Sequence, residues 1–230
     1  MKRIGSLFLL FCLAFTLGAA EKLQKIVVSR DGRGFETKDG KPFVPWGVNY
    51  FRPEMGWAPK IWKMFDPALT RKDFERLRKM DCNCVRVFLT YNEFLTSPDS
   101  VNEEGLKKLD EFLTIAEESG IYVHPTGPDH WEGLPDWAKG DRICDEKVLA
   151  ALDMFWKRVA SRYKERNVLF AYDLLNEPSV LWNSPQIVQK WNSWIEKKYG
   201  DSKKAAEVWQ VDYSSISNSI VPPRDSKSVK

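Results

Sequence analysis

Asn176 and Glu177 stand at the end of a β-rich apolar run, Phe170-Ala171-Tyr172-Asp173-Leu174-Leu175-Asn176-Glu177-Pro178. Such a run reads as a buried strand, and α/β folds gather their chemistry at the carboxyl ends of strands. An amide next to a carboxylate at that place can hold a polar ligand and move a proton. Asn and Pro also punctuate turns, so the tripeptide by itself fits a plain strand end equally well. Arg86 is the second feature, a guanidinium inside Cys84-Val85-Arg86-Val87-Phe88-Leu89. A cation in an apolar strand needs a carboxylate or a ligand beside it, and a structural ion pair meets that need as well as a functional one. The third is the loop from Thr126 to Trp137, which mixes His130, Trp131 and Trp137 with acidic residues. That mixture suits a sugar cleft, and it also suits a rigid Pro/Trp loop packed on the fold.

The elements that must position these residues follow a cadence. Strands start near 47, 84, 121 and 168, about 37, 37 and 47 residues apart, the spacing of consecutive βα units. A helix is predicted from Thr70, with Asp73 as capping partner and Phe74, Leu77 and Met80 at helical spacing. The next runs from Glu103 to Ser119, with Leu106, Leu109, Phe112, Leu113 and Ala116 on one face and Gly120 as its stop. A third carries the stripe Val148, Leu152, Phe155, Val159 and Tyr163. After the opening strand comes a helical pair between Pro185 and Gln210, with an apolar face of Ile187, Trp191 and Trp194 and a break at Gly200. Ahead of all this, Lys25-Ile26-Val27-Val28-Ser29 and Pro42-Phe43-Val44 with turns at Asp31-Gly32 and Asp39-Gly40 predict a β-hairpin, a lid or plug beside the main fold. The fold class is therefore parallel α/β. In such a sheet Asn49, Arg86, the segment after His124 and Asn176-Glu177 converge on one rim.

Composition narrows the function classes. Lys2 and Arg3, the apolar run from Leu7 to Phe15 and Gly18-Ala19-Ala20 form a secretory signal peptide over residues 1–20, so the protein is expected to be secreted, extracellular or periplasmic. The apolar run is short for a membrane span, and no membrane association is expected after cleavage. Of 35 basic residues, removal of Lys2 and Arg3 leaves 33 against 32 acidic ones, a balance of +1 that gives no footprint for nucleic acid. Ten tryptophans and seven tyrosines supply flat amphipathic rings for ligand surfaces or cores. Two histidines, His124 and His130, and the three cysteines left after the signal, Cys82, Cys84 and Cys144, form no metal-ligand pattern. An odd thiol count leaves at least one without an intramolecular disulfide, and Cys82 and Cys84 share a face if that stretch is extended. Neither G-x-G-x-x-G nor a P-loop occurs. No cofactor and no metal is expected.

Gly47-Val48-Asn49, Val85-Arg86-Val87 and Asn176-Glu177-Pro178, each on its own strand, resemble the retaining glycoside hydrolases of clan A, nearest family 5 of the cellulase/mannanase type. The segment from Trp191 to Gly200 with Trp209 is similar to a helix after the fourth strand of related exported β-glycosidases. The resemblance runs from Gly47 to Pro223. It implies a (β/α)8 barrel that hydrolyses O-glycosidic bonds of β-linked glucan or mannan with two carboxylates. Glu177 matches the acid/base and Asn176 the amide that meets the sugar 2-hydroxyl. Arg86 is implied at the base of the cleft, orienting the nucleophile. Asn49 belongs to the same rim, His130 is preferred to His124 for the cleft, and Trp57, Trp131, Trp137 and Trp182 are sugar-stacking candidates.

The nucleophile implied by the resemblance is a glutamate ending the seventh strand. A barrel of eight units needs about 250 residues, whereas 210 follow the signal (230 minus 20) and hold four units. The expectation is the N-terminal half of a barrel over residues 46–230, preceded by the hairpin over 21–45, bearing the acid/base and no identifiable nucleophile. Two other readings stay open. One is a non-catalytic carbohydrate-binding or structural half-barrel; the other is an unrelated α/β enzyme with Glu177 as a proton-transfer base.

Overall fold

Alternating side chains explain the sheets and decide what each face meets. The computed structural model describes residues 22–55, 58–129, 133–139, 142–178 and 184–212. The first strands, β1 (Ile26–Val28), β2 (Phe35–Thr37) and β3 (Pro42–Phe43), pair antiparallel in sequence order, with Ile26 opposite Thr37 and Phe35 opposite Phe43. A second sheet is parallel: β4 (Gly47–Asn49), β5 (Cys84–Thr90) and β6 (Tyr122–Asp129) lie side by side in that order. Its register matches Gly47 with Cys84 and Asn49 with Arg86, and Cys84 with Tyr122 and Arg86 with His124.

The expected strand from Val168 continues this sheet beyond β6 less regularly. It touches β6 at two parallel bridges, Val123 with Leu169 and Thr126 with Asp173. Phe170 N donates to Val123 O at 2.9 Å and Asp173 N to Pro125 O at 3.0 Å. The break in the ladder has a local cause, since Pro125, between Val123 and Gly127, has no N–H to give the fourth segment.

The helices that cover the sheet begin where short polar side chains cap them. In α1 (Pro67–Lys79) the cap is Asp66, which accepts from Leu69 N, and Pro67 occupies the first turn where its missing N–H costs nothing. This corrects the expected start at Thr70. Asp73 instead accepts from Tyr50 Oη at 2.9 Å and pairs with Arg52 Nε at 2.8 Å, while Met80, past the helix end, is exposed. A short helix α2 (Tyr91–Phe94) follows β5. The expected bounds of α3 (Glu103–Ser119) hold, with Asn102 capping and Gly120 in the left-handed conformation at φ 65°. In α4 (Glu146–Tyr163) all five stripe residues, Val148, Leu152, Phe155, Val159 and Tyr163, are buried.

The main core lies between helices and sheet. Val85, Val87, Leu89 and Val123 point outward into Phe74, Phe112, Leu113, Phe155 and Val159, all without solvent exposure. On the inner side, Cys84 and Tyr122 form a separate small cluster with Ile26, against which Phe43 and Phe170 pack. Phe35 and Phe43 meet the Phe170 ring at 4.9 and 5.3 Å, so the antiparallel sheet lies against the amino-terminal end of the inner face. Gly47 is required by close approach: a Cβ there would stand 1.6 Å from the Cys84 carbonyl oxygen.

Two further corrections concern local packing. The strand β5 begins only at Cys84, after the turn at Asp81 (φ 57°), so Cys82 lies before the extended stretch and joins the outer core while Cys84 joins the inner cluster. The same-face expectation assumed an extended stretch. In the helical pair α5 (Pro185–Tyr199) and α6 (Ser202–Trp209), the interface is Ile195 and Ala205 with Trp191, Tyr199 and Trp209. Trp194 is 41% exposed, with the Lys198 ammonium 4.7 Å from its ring. Among the described residues no helix is long and apolar enough to cross a membrane. The expected signal over residues 1–20 lies outside the described residues.

Candidate active site

The inner face of the parallel sheet is built in rows, because residues matched in register point the same way. Gly47, Cys84 and Tyr122 form the lowest row. Two residues further along each strand, Asn49, Arg86 and His124 form the next. Above it Phe88 aligns with Thr126, and Thr126 with Asp173. Asn176 and Glu177 follow at the carboxyl end of the fourth segment.

Arg86 ties these rows together. Its Nη2 donates to Asp173 Oδ2 at 2.7 Å and to Asn176 Oδ1 at 3.0 Å, while Nη1 reaches Asn49 Oδ1 at 3.4 Å. The guanidinium lies 4.6 Å from the Phe88 ring centroid, an arrangement in which the ring face attracts the cation. Thr126, completely buried, donates through Oγ1 to the same Asp173 oxygen at 3.0 Å. The demand for a carboxylate that the sequence places on Arg86 is therefore met by Asp173. The counter-charge comes from the fourth segment, one strand beyond β6, whose Asp173 reaches across to Arg86. Charge-assisted bonds of this length are strong and directional, so the cluster is a rigid one.

His124 stands in the Arg86 row, not short of the site, and meets the Phe170 ring edge-on with centroids 5.8 Å apart. Burial holds its imidazole below the ordinary value of 6.5; Asp173 pulls it up and Arg86 pushes it down. Pro45, Asn49, Arg86, His124, Phe170 and Ala171 line a trough of about 500 Å³ along this face.

Glu177 is exposed and sits at φ 41°, in the left-handed region that a residue with a Cβ enters at a cost of about 1–2 kcal/mol. Strain of that kind concentrates at functional sites. Asn49, Arg86 and Asn176 are thus brought together in one hydrogen-bonded group, with Glu177 next in the chain. Trp57, His130, Trp131 and Trp182 lie outside the described residues. Trp137, also considered for sugar stacking, is partly buried: it is edge-on to Tyr91, and its Nε1 donates to Thr96 O at 3.1 Å.

Asp173 and Thr126 escaped the sequence reading. A signal existed for Asp173, the acidic residue of the opening run, since an arginine in an apolar strand calls for a carboxylate on the same face of the sheet. None existed for Thr126, whose role depends on the register of β6 with the fourth segment.

Residues 37–207, more than half of the chain, match the family described as cellulase (glycosyl hydrolase family 5). The chain belongs to glycosyl hydrolase family 5. It is 29% identical over 149 residues to endoglucanase A of Ruminococcus albus, and 25% identical over 105 residues to the probable mannan endo-1,4-beta-mannosidase F of Aspergillus flavus. Those matches cover 63% and 42% of this chain but only 36% and 23% of the relatives. Among solved structures, the fold is similar to an endogalactoceramidase, with a TM-score of 0.56 and 18% identity over 82% of this chain and 50% of that one. It is also similar to a GH5_18 protein of Bifidobacterium longum subsp. longum in complex with Manb1-4GlcNAc, with a TM-score of 0.54 and 19% identity over 69% and 40% of the two chains. At these identities the structural likeness shows the fold alone. The family 5 chain described here is therefore α/β with barrel-type neighbours.

Proposed function

We propose that this family 5 chain forms the first four βα units of a (β/α)8 barrel and carries the acid/base side of a retaining β-glycan hydrolase. One observation supports this above the others: Glu177 closes the fourth parallel segment, beside an Asn176 amide that Arg86 and Asp173 hold in place. In this reading Glu177 protonates the glycosidic oxygen as the bond to the anomeric carbon breaks. A second carboxylate, on a later strand outside this sequence, attacks that carbon and forms a covalent glycosyl intermediate. Glu177, now a carboxylate, takes a proton from the water that releases the sugar. Asn176 meets the 2-hydroxyl of the sugar in transit. The names of the endoglucanase and mannosidase relatives favour a β-linked glucan or mannan, and the first twenty residues favour export.

Turnover of soluble β-glucan and β-mannan by the hydrolase that carries this chain tests the reading. Glu177→Gln is expected to lower kcat by about 10²–10⁴-fold. The loss is smaller on aryl glycosides whose phenoxide departs without protonation. A Glu177→Gln enzyme as fast as the wild type on both substrates removes Glu177 from the acid role. Tight retention of β-oligosaccharides without any cleavage favours a binding half-barrel instead.

A further inference from the structure

We propose that Asp173 is a positioning residue: through Arg86 it fixes which way the Asn176 amide faces. The inference deepens the reading of Asn176 and Glu177 above and rests on it. An asparagine amide offers an oxygen that accepts and an NH2 that donates, and the two differ by a half-turn of the same side chain. An arginine only donates. The atom of Asn176 that faces Arg86 Nη2 at 3.0 Å is therefore its Oδ1, and a flipped amide would set N–H against N–H. With Oδ1 taken, Nδ2 is left on the other branch of the amide as a donor turned away from Arg86, ready for a sugar hydroxyl.

The selection works only while Arg86 itself stays still. Its Nη2 is anchored to Asp173 Oδ2 at 2.7 Å, and that oxygen is held in turn by the Thr126 hydroxyl at 3.0 Å. Thr126 is completely buried and faces Asp173 across a parallel bridge, so the far end of the relay is built into the sheet. Asn49 Oδ1, at 3.4 Å from Nη1, is too distant to replace Asp173 as the anchor. The order of the relay is thus Thr126, Asp173, Arg86, Asn176. In this relay the effect of Asp173 reaches the sugar through the amide.

The test compares wild type and Asp173→Asn on two aryl β-glycosides that differ only in the sugar 2-hydroxyl. Asp173→Asn is expected to lower kcat/KM for the 2-hydroxy substrate about 10–100-fold, the cost of a small misplacement of a reacting partner. On the 2-deoxy substrate, which has nothing for Nδ2 to bind, the change stays within about threefold. Equal losses on both substrates overturn the proposal, since they mark general damage. Thr126→Val is expected to show the same substrate-selective loss, smaller in size, and Thr126→Ser to restore it.

A second readout is independent of turnover. In the 15N-labelled chain, the two Nδ2 protons of Asn176, identified by their disappearance in Asn176→Asp, are expected as a sharp separate pair in wild type. In Asp173→Asn they are expected to broaden by exchange between two amide orientations. Identical line shapes in the two proteins overturn the relay. A wild type that cleaves neither glycoside but shows the broadening in the variant sinks the hydrolase reading and leaves the relay standing.

Discussion

The two faces of β5 have opposite characters within one strand. Val85, Val87 and Leu89 are fully buried against helices, while Arg86, between them, lines the trough and its polar partners, with its guanidinium over the Phe88 ring. The outer face is held by area removed from water, a non-directional force that tolerates many apolar substitutes. Directional bonds of fixed partners hold the inner face, and there Thr126, Asp173, Arg86 and Asn176 each depend on the next. The contrast teaches that stability and chemistry are carried by alternate residues of the same strands, and ought to be separable by mutation.

The widest separation is expected between Phe112→Ala and Glu177→Gln. Phe112 is unexposed and packs edge-on against Trp62 and Phe74, so its truncation is expected to cost about 3–5 kcal/mol of unfolding free energy. Glu177→Gln, at an exposed position, is expected to shift that free energy by less than about 0.5 kcal/mol while removing turnover. Urea titrations of the two variants check this, and a Glu177→Gln chain as unstable as Phe112→Ala would break the division of labour. Gly47→Ala comes next. The added methyl meets the Cys84 carbonyl, and overpacking of this kind costs about 1–3 kcal/mol. A wild-type urea midpoint in that variant would mean that β4 can draw away from β5 without penalty.

The smallest effect is a pH dependence on the inner face. Burial holds His124 below its ordinary 6.5, so the unfolded chain takes up the proton first as the pH falls. The contribution is fully present above about pH 6.5 and is lost as the pH drops through that value toward the folded-state one. Asp173 and Arg86 both face this imidazole and act in opposite directions, which leaves burial as the main cause. The urea midpoint of wild type is expected to fall more between pH 7 and 5.5 than that of His124→Gln; parallel curves would show that His124 titrates as it does in the unfolded chain.

Much of this arrangement was legible beforehand, for reasons that differ by element. The bounds of α3 and the five-residue stripe of α4 follow from periodicity and a terminal glycine, both local signals. The α1 start differs from the expected Thr70 because Asp66 caps the helix and Pro67 fits its first turn. The face of α5 differs from its apolar spacing because the only rings that Trp194 meets among the described residues are those of Trp191 and Tyr199 on its own helix, and it stays 41% exposed. At the site, the βα cadence aligned Asn49, Arg86 and Asn176, but the identity of the Arg86 partner rested on cross-strand register. His124, placed behind His130 by the resemblance, lines the trough through its register with Arg86, while His130 lies outside the described residues.

By itself, the sequence determined the parallel α/β class, the order of the elements and the place of Glu177 at the end of the fourth of them. These follow from period, caps and spacing, which are properties of short stretches. Only the tertiary structure decided that Asp173 answers Arg86, that Thr126 holds Asp173, and that Cys82 and Cys84 part company. Each of those depends on which residues meet across strands or around a tight turn, and a one-residue change of register would exchange the two faces and undo them all.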